Sequence, residues 1–301
     1  MEAPNLGYLF YEEYYRELND NDWNSLVTQN KPALSKPAVD HISGINSKIK
    51  NSKLSDYSGI KEVFAPIQNL QHFDLKTTYP GLLVGSGWDH SAGNIEGEFK
   101  IGFYFDYTSG LPVIPGSSVK GVIRSAFPNK ENARLSEDYK EQREMYIKEC
   151  LRSIGLCQTN EVDINKLEKE IFEGVKHDKL QPIYKRDIFY DAVAIRSDNE
   201  GSLFMGDDFI TPHKDSPYTN PIPIKFLKVL PNVIFRFQFD LKDGLITAEC
   251  KLKLFKRIIL DLGMGAKTAV GYGQFEEIEE QFDAETMKKK LQHRSRVSVH
   301  F

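Results

Sequence analysis

The stretch Leu111-Pro112-Val113-Ile114-Pro115-Gly116-Ser117-Ser118-Val119-Lys120-Gly121-Val122-Ile123-Arg124 has the residue types of an anion cradle running from turn to helix. The two prolines hold the approach extended, Gly116 permits a turn that a Cβ would obstruct, and Ser117 or Ser118 is placed to cap the first amides of a helix. A helix amino end carries about half a positive charge and free N–H donors. A phosphate against Ser117 to Val119 would gain about 0.3–1 kcal/mol there before any side chain contributes. Lys120 and Arg124 share one helical face, while Val119, Ile123, Ala126 and Phe127 form the apolar face that anchors the helix. Gly121, between the two cations, would let a second backbone approach. Taken alone, the same residues also describe a capped amphipathic helix with two solvated cations.

A second cradle lies near the other end. Gly263-Met264-Gly265-Ala266-Lys267-Thr268-Ala269-Val270-Gly271-Tyr272-Gly273 follows a basic helix holding Lys251, Lys253, Lys256 and Arg257. Its glycines close a helix, with Gly263 as the cap, and lead into a strand-like Tyr272-Gly273-Gln274-Phe275, whereas a nucleotide-hydrolysing P-loop opens a helix after a strand. Nucleotide hydrolysis is therefore unsupported; backbone amides there, with Lys267 and Thr268, can face phosphates, while taken alone the same residues also describe a helix C-cap and a tight turn.

These two motifs resemble those of the RAMP superfamily of CRISPR RNA-binding proteins, whose members carry both in nearly this form. Asn5-Leu6-Gly7-Tyr8-Leu9-Phe10-Tyr11, Phe189-Tyr190-Asp191-Ala192, Asp208-Phe209-Ile210-Thr211-Pro212-His213 and Pro221-Ile222-Pro223-Ile224-Lys225-Phe226-Leu227 are similar, more narrowly, to the sixth-subunit family of type III-B (Cmr) effectors. The resemblance implies a ferredoxin-like, RRM-like core. It also implies that the two cradles meet on the RNA-binding side, and that guide RNA, target RNA paired to it and other RAMP subunits of the Cmr complex are the partners. By the same resemblance the chain holds guide RNA near its 3′ end and caps the backbone filament. Gly116, Ser117, Ser118, Lys120, Gly121, Arg124, Gly263, Gly265, Lys267, Thr268 and Tyr272 are then the RNA-binding residues. Tyr104, Tyr107, Tyr218 and Tyr272 are candidates for base stacking, Tyr272 first because it sits between glycines.

Relatives in the filament cleave target RNA with a loop aspartate and a divalent metal. Here the corresponding position falls near Lys100, with Glu98 and Asp106 out of place, so no catalytic residue is assigned. Other relatives process guide RNA with a histidine as general acid or base, a role suited to a group that titrates near neutrality. That is the alternative reading, a metal-independent endoribonuclease. His41, His72 and His90 are its candidates, His90 foremost because Gly85-Ser86-Gly87-Trp88-Asp89-His90 would form a mobile loop. Asp207, Asp208 and His213 lack a recognised ligand geometry, so neither metal nor cofactor is expected.

Composition sets the outer limits. The 301 residues carry 39 Lys and Arg against 43 Asp and Glu, a formal charge of −4, so RNA contact must be local rather than a matter of bulk charge. The acidic run Glu276, Glu277, Glu279 and Glu280 reads as a solvated face. Cys150, Cys157 and Cys250 have no metal spacing and suit reduced thiols. With no basic leader and no long apolar run, a cytoplasmic protein without a membrane partner is expected.

The elements that must position the cradles read as an α+β fold in a single domain over residues 1–301. Tyr11 to Leu18 predicts a helix, Asn19 to Pro37 turns, and Leu82 to Gly87 a first core strand. Phe99 to Tyr107 predicts an extended segment. Residues 130–180 read as a helical insertion, with helices over Asn132 to Ile154 and, after an Asp163 cap, Asn165 to Glu173. Strands are expected over Ile188 to Ile195, Ser202 to Ile210 and Ile222 to Leu230. Val233, Phe235, Phe237 and Phe239 alternate with Ile234, Arg236, Gln238 and Asp240 as a half-buried strand should.

Overall fold

Alternation in Val233–Asp240 produces the longest strand among the described residues, and the sheet is assembled around it. The computed structural model describes residues 3–28, 34–57, 70–90, 95, 97–155, 162–211 and 223–278. In chain order its helices are α1 (Leu6–Tyr8), α2 (Asp20–Thr28), α3 (Lys36–Lys50), α4 (Gly116–Ser125), α5 (Glu137–Ser153), α6 (Ile164–Glu173) and α7 (Ala248–Leu262). The strands are β1 (Gln71–Thr77), β2 (Val113–Ile114), β3 (Val175–Lys176), β4 (Lys179–Leu180), β5 (Ile188–Phe189), β6 (Ala192–Ser197), β7 (Met205–Ile210), β8 (Ile224–Val229), β9 (Val233–Asp240) and β10 (Phe275–Glu277).

The main sheet runs β10-β1-β9-β6-β2, with β5 pairing the end of β9. Every pair in it is antiparallel. Taken with α4 and α7, the order of β1, β6, β9 and β10 is that of a ferredoxin-like βαββαβ core, as the resemblance implied. Phe235, Phe237 and Phe239 face the helices, Phe239 meeting Phe255 of α7 at 5.4 Å between ring centroids. Each buried phenylalanine contributes about 1.5–3 kcal/mol. The opposite face is more covered than the alternation implied. Ile234 and Gln238 are buried as well, and the helical turn Leu54–Tyr57 packs on β6.

Three local expectations fail for identifiable reasons. The first core strand is Gln71–Thr77, where Phe73, Leu75 and Thr77 point inward, and not Leu82 to Gly87. Leu82 instead exchanges backbone hydrogen bonds with Val229, joining the second hairpin β7–β8. Asn19 to Pro37 holds α2, because Asn19 accepts from the Asn21 and Asp22 amides and the Asp22 carboxylate accepts from the Ser35 amide and hydroxyl. Tyr11 to Leu18 forms only the end of a π-helical turn, Leu9–Glu13, before giving way to turns. The extended Phe99 to Tyr107 is present but joins no strand; it is held by isolated bridges at Ile101 to Phe226 and Phe105 to Pro112 and by single backbone bonds such as Lys100 to Lys225 and Tyr104 to Val84.

The helical insertion is as expected in type. Ser136 caps α5, and Asp163 caps α6 by accepting from the Asn165 and Lys166 amides. Its attachment was not foreseen. Lys251 of α7, 0% exposed, places its ammonium 2.7 Å from Asp187, 3.0 Å from Glu170 of α6 and 2.8 Å from the Lys242 carbonyl. Burial pushes the Asp187 carboxyl up and the Lys251 charge draws it back.

His90 also departs from expectation. It is 8% exposed, stacked on Phe10 at 4.3 Å and flanked by Tyr14 and Tyr15 at 4.6 and 5.2 Å. Its Nε2 lies 2.9 Å from the Phe10 carbonyl oxygen, and its loop is fixed by a Gly102 N–H to Asp89 bond. Desolvation lowers its pKa to about 4, so at neutral pH the imidazole is uncharged and walled off from any substrate. His72 is exposed on β1, and His41 is held on the Glu13 carbonyl.

Two outcomes follow from these buried groups. Lys251→Met keeps the stem and strands two carboxylates, so denaturant titration should show a loss of about 3–5 kcal/mol. An NMR titration should place the His90 pKa near 4. Because that value lies below the unfolded ~6.5, His90 lets stability fall by up to about 3 kcal/mol as pH drops from 6.5 to 4, and His90→Leu should flatten the decline.

Candidate nucleic-acid interface

The Pro-Gly-Ser-Ser segment does open a helix, but its capping differs from the sequence reading. Pro115 is the cap residue, and the Gly116 N–H donates to the Asp191 carboxylate at 2.7 Å. An internal anion therefore already occupies the dipole end, and the exposed Ser117 and Ser118 cap nothing. Asp191 belongs to the Phe189-Tyr190-Asp191-Ala192 motif, which thus acts as a clamp on the helix start. Gly116 is needed for close packing, since a Cβ there would sit 2.4 Å from the Phe189 carbonyl oxygen. Gly121 faces open space, with nothing within 4 Å of a Cβ, so no second backbone approaches it among the described residues.

The two cations of α4 also part company. Arg124 is tied to Glu173 at 2.6 Å and Glu168 at 3.6 Å and lies over the Phe172 ring, which joins α4 to the insertion. Lys120 forms no ion pair among the described residues. Its ammonium sits 5.8 Å from the Phe189 ring centre, and its pKa is lowered by partial burial and then by Arg124 and Arg186. A cation with cationic neighbours is a point where a phosphate gains most.

The glycine loop is held as a rigid reversal. Gly263, Gly265, Gly271 and Gly273 all have positive φ. At Gly265 and Gly273 a Cβ would fall 2.4 Å from the Leu83 oxygen and 1.8 Å from the Met264 oxygen. Backbone bonds from Ala266 to Leu83, Met264 to Gly273 and Gly273 to Gly81 fix it on the sheet end. Lys267, in the left-handed region at φ 61°, has no ion pair among the described residues, and the Thr268 hydroxyl has no partner there either. The basic helix before the loop is different. Lys251 is buried, Lys253 pairs with Glu249, Lys256 with Glu277 and Arg257 with Asp261. Glu276 of the acidic run likewise pairs with Lys76.

Tyr272 does not offer a free ring. It is 9% exposed, donates its hydroxyl to Asp208 at 2.7 Å and packs edge-on to Phe226. Burial first, and then the Asp208 charge, raises its pKa well above the usual phenol range. The aromatic ring available at this loop is Tyr79, 84% exposed in the Tyr79-Pro80-Gly81 turn, with Pro80 within contact distance of a Cβ on Gly271. The signal was an aromatic in a Pro-Gly turn, a setting that rarely buries its side chain. Tyr107 and Tyr104 are exposed or partly so, Tyr107 in a turn bonded to Asn5. Tyr218, His213 and Cys157 lie outside the described residues.

The cradles do not meet. Gly116 packs beside Phe189, which pairs with Phe239 opposite Gln71, whereas the glycine loop packs beside Gly81 and Gln274 next to Thr77. They lie at opposite ends of β1, about 20 Å apart at ~3.3 Å per residue. Asp207 is held by Lys50 and Lys225, and Asp208 by Lys228. Glu98 is buried and accepts from Tyr15, and Asp106 caps its own turn at Ser109. No group of His, Cys, Asp and Glu with metal-site geometry occurs among the described residues, nor does a helix long and apolar enough to cross a membrane.

Comparison with known proteins agrees with the core. The chain is 29% identical over 208 residues to the CRISPR system Cmr subunit Cmr6 of Pyrococcus furiosus, covering 56% of this chain and 58% of that relative, less than two thirds of its length. It is 26% identical over 254 residues to the CRISPR system CMR subunit Cmr6 of Saccharolobus solfataricus, covering 82% of this chain and 72% of that one. A chain in the cryo-EM structure of the type III-B Cmr-beta bound to cognate target RNA shares the fold. Its TM-score is 0.54 at 21% identity, over 91% of this chain and 85% of that one. Residues 74–276 match the RAMP superfamily model, and with most of the chain inside that match the protein belongs to the RAMP superfamily.

Proposed function

We propose that this chain is a non-catalytic, RNA-binding subunit of a type III-B CRISPR (Cmr) effector complex, acting in the cytoplasm. In this reading it holds guide RNA near its 3′ end, with target RNA paired to that guide, and caps the filament of RAMP subunits. The observation that carries it is the glycine loop. In a chain of net charge −4 whose α7 cations are all paired, the fold keeps Lys267 and Thr268 without ion-pair or side-chain partners among the described residues, beside an exposed Tyr79. The likeness to Cmr6 proteins supports the complex. Lys120, at the other end of the sheet, makes a second phosphate contact, so a bound strand passes along the sheet rather than through one groove. Cutting by His90 has no support, since its ring is buried and neutral.

The test is binding of a single-stranded RNA to the purified chain across a salt series. Lys267→Ala and Lys120→Ala should each weaken binding whatever the sequence and flatten the log–log salt slope by about 0.7 for each phosphate that the variant leaves unneutralised. Tyr79→Ala should cost about 1–3 kcal/mol of binding with little change in slope. Arg124→Ala should act mainly on thermal stability, because its charge is spent on Glu168 and Glu173. Unchanged slopes in both lysine variants would sink the reading. Gentle purification from the host followed by native mass spectrometry checks the complex, where a large assembly carrying guide RNA is the expected result.

A further inference from the structure

The sheet face turned away from α4 and α7 holds a cavity of about 290 Å³ that the loop site does not use. Its walls are apolar, from Leu54, Leu111 and Val193, and its floor carries Gln238 and the Asp74–Arg236 pair, a bidentate bridge with both bonds at 2.8 Å. Gln238 is 6% exposed and lines the cavity, yet its side-chain amide has no hydrogen-bond partner among the described residues. The amide is not sealed from water but opens into the cavity, so a ligand entering it meets a donor and an acceptor that no described side chain already engages. At the rim, Arg196 is anchored through Nε to Asp198 at 2.9 Å and is more than half exposed, which leaves its outer N–H donors directed to solvent.

We infer that this cavity is a subsite for one unpaired nucleobase, read by the Gln238 amide, with its phosphate against Arg196. The volume lies at the small end of the range for ligand sites, about 300–1,000 Å³, which suits a single base and not a larger cofactor. A glutamine amide presents a donor and an acceptor side by side, the pattern matched by the N6 and N7 edge of adenine, so adenine is the favoured base. Recognition of a base edge in an apolar slot is how unstacked nucleotides are read. The base belongs either to a bound RNA strand, which rests on the RNA-binding reading above, or to a free mononucleotide, which does not.

The full chain is titrated with each of AMP, GMP, CMP and UMP while the Gln238 side-chain amide is followed by NMR. In parallel, a 4-thiouridine- and 8-azidoadenosine-labelled single strand is photocrosslinked and the peptides mapped. The expected result is a shift of the Gln238 resonance and of the backbone amides around the cavity by AMP, or a crosslink within residues 193–196 or 236–238, with the backbone-amide shifts or the crosslink reduced at least tenfold in Gln238→Leu. Gln238→Glu serves as a second variant of equal size and should weaken adenine in the same way if Gln238→Leu fails to fold. A nucleotide shift without a crosslink assigns the site to free nucleotides, and a crosslink assigns it to RNA. No shift and no crosslink in the cavity, or binding undiminished in a folded Gln238 variant, overturns the inference. Salt-dependent RNA binding through Lys267 is measured separately, so its loss bears on the proposed function and not on this cavity.

Discussion

The Lys251 ammonium, fully buried between Asp187 and Glu170, is the constraint around which this molecule is arranged. An isolated charge in the interior is prohibitive, so α7, the insertion helix α6 and the segment before β5 must all arrive together for it to be satisfied. Glu170 serves more than the lysine. It also accepts from the Leu245 amide, and Gly244 lies so close that a Cβ would sit 1.8 Å from its carboxylate. The Asp187 carboxylate takes the Lys242 amide at 2.7 Å. One ion cluster thus closes the turn between β9 and α7 and ties the insertion to the core.

That arrangement determines where the two glycine-containing motifs end up. With α7 anchored at the Asp240 end of β9, its far end carries the glycine loop past Gly81 and Leu83 to the Thr77 end of the sheet. The α4 start is pinned at the other end by Asp191 and Phe189. Positive φ at Gly263, Gly265, Gly271 and Gly273 lets the backbone reverse, and at Gly263, Gly265 and Gly273 it does so close enough to neighbouring backbone that any side chain would collide. The loop is therefore shaped by contacts beneath it, and Lys267 and Thr268 are what it presents outward.

The charge pattern follows the same logic. Most basic side chains near the motifs are matched by carboxylates, Arg124 by Glu173 and Glu168, Lys256 by Glu277 and Arg257 by Asp261. Exposed pairs of this kind add little stability, with medians near 0–1 kcal/mol, but they cancel local field. Lys120 and Lys267 stand out because they lack such partners among the described residues, and their field survives in an acidic protein.

Sequence alone determined what depends on neighbours along the chain. The alternation of Val233 to Asp240 fixed a strand, Asp163 fixed a helix start, and Gly263 fixed a helix end, since period, capping and left-handed backbone are local properties. The motif residues identified the family for the same reason. Tertiary structure decided which of those residues are available. Tyr272 between two glycines looked exposed, yet Asp208 and Phe226, distant in sequence, bury it. His90 in a glycine-rich loop looked mobile, yet Phe10 and Tyr14 enclose it. The helix-start amide looked free, yet Asp191 takes it. Burial and pairing come from contacts between segments far apart in sequence, and no spacing rule along one segment contains them.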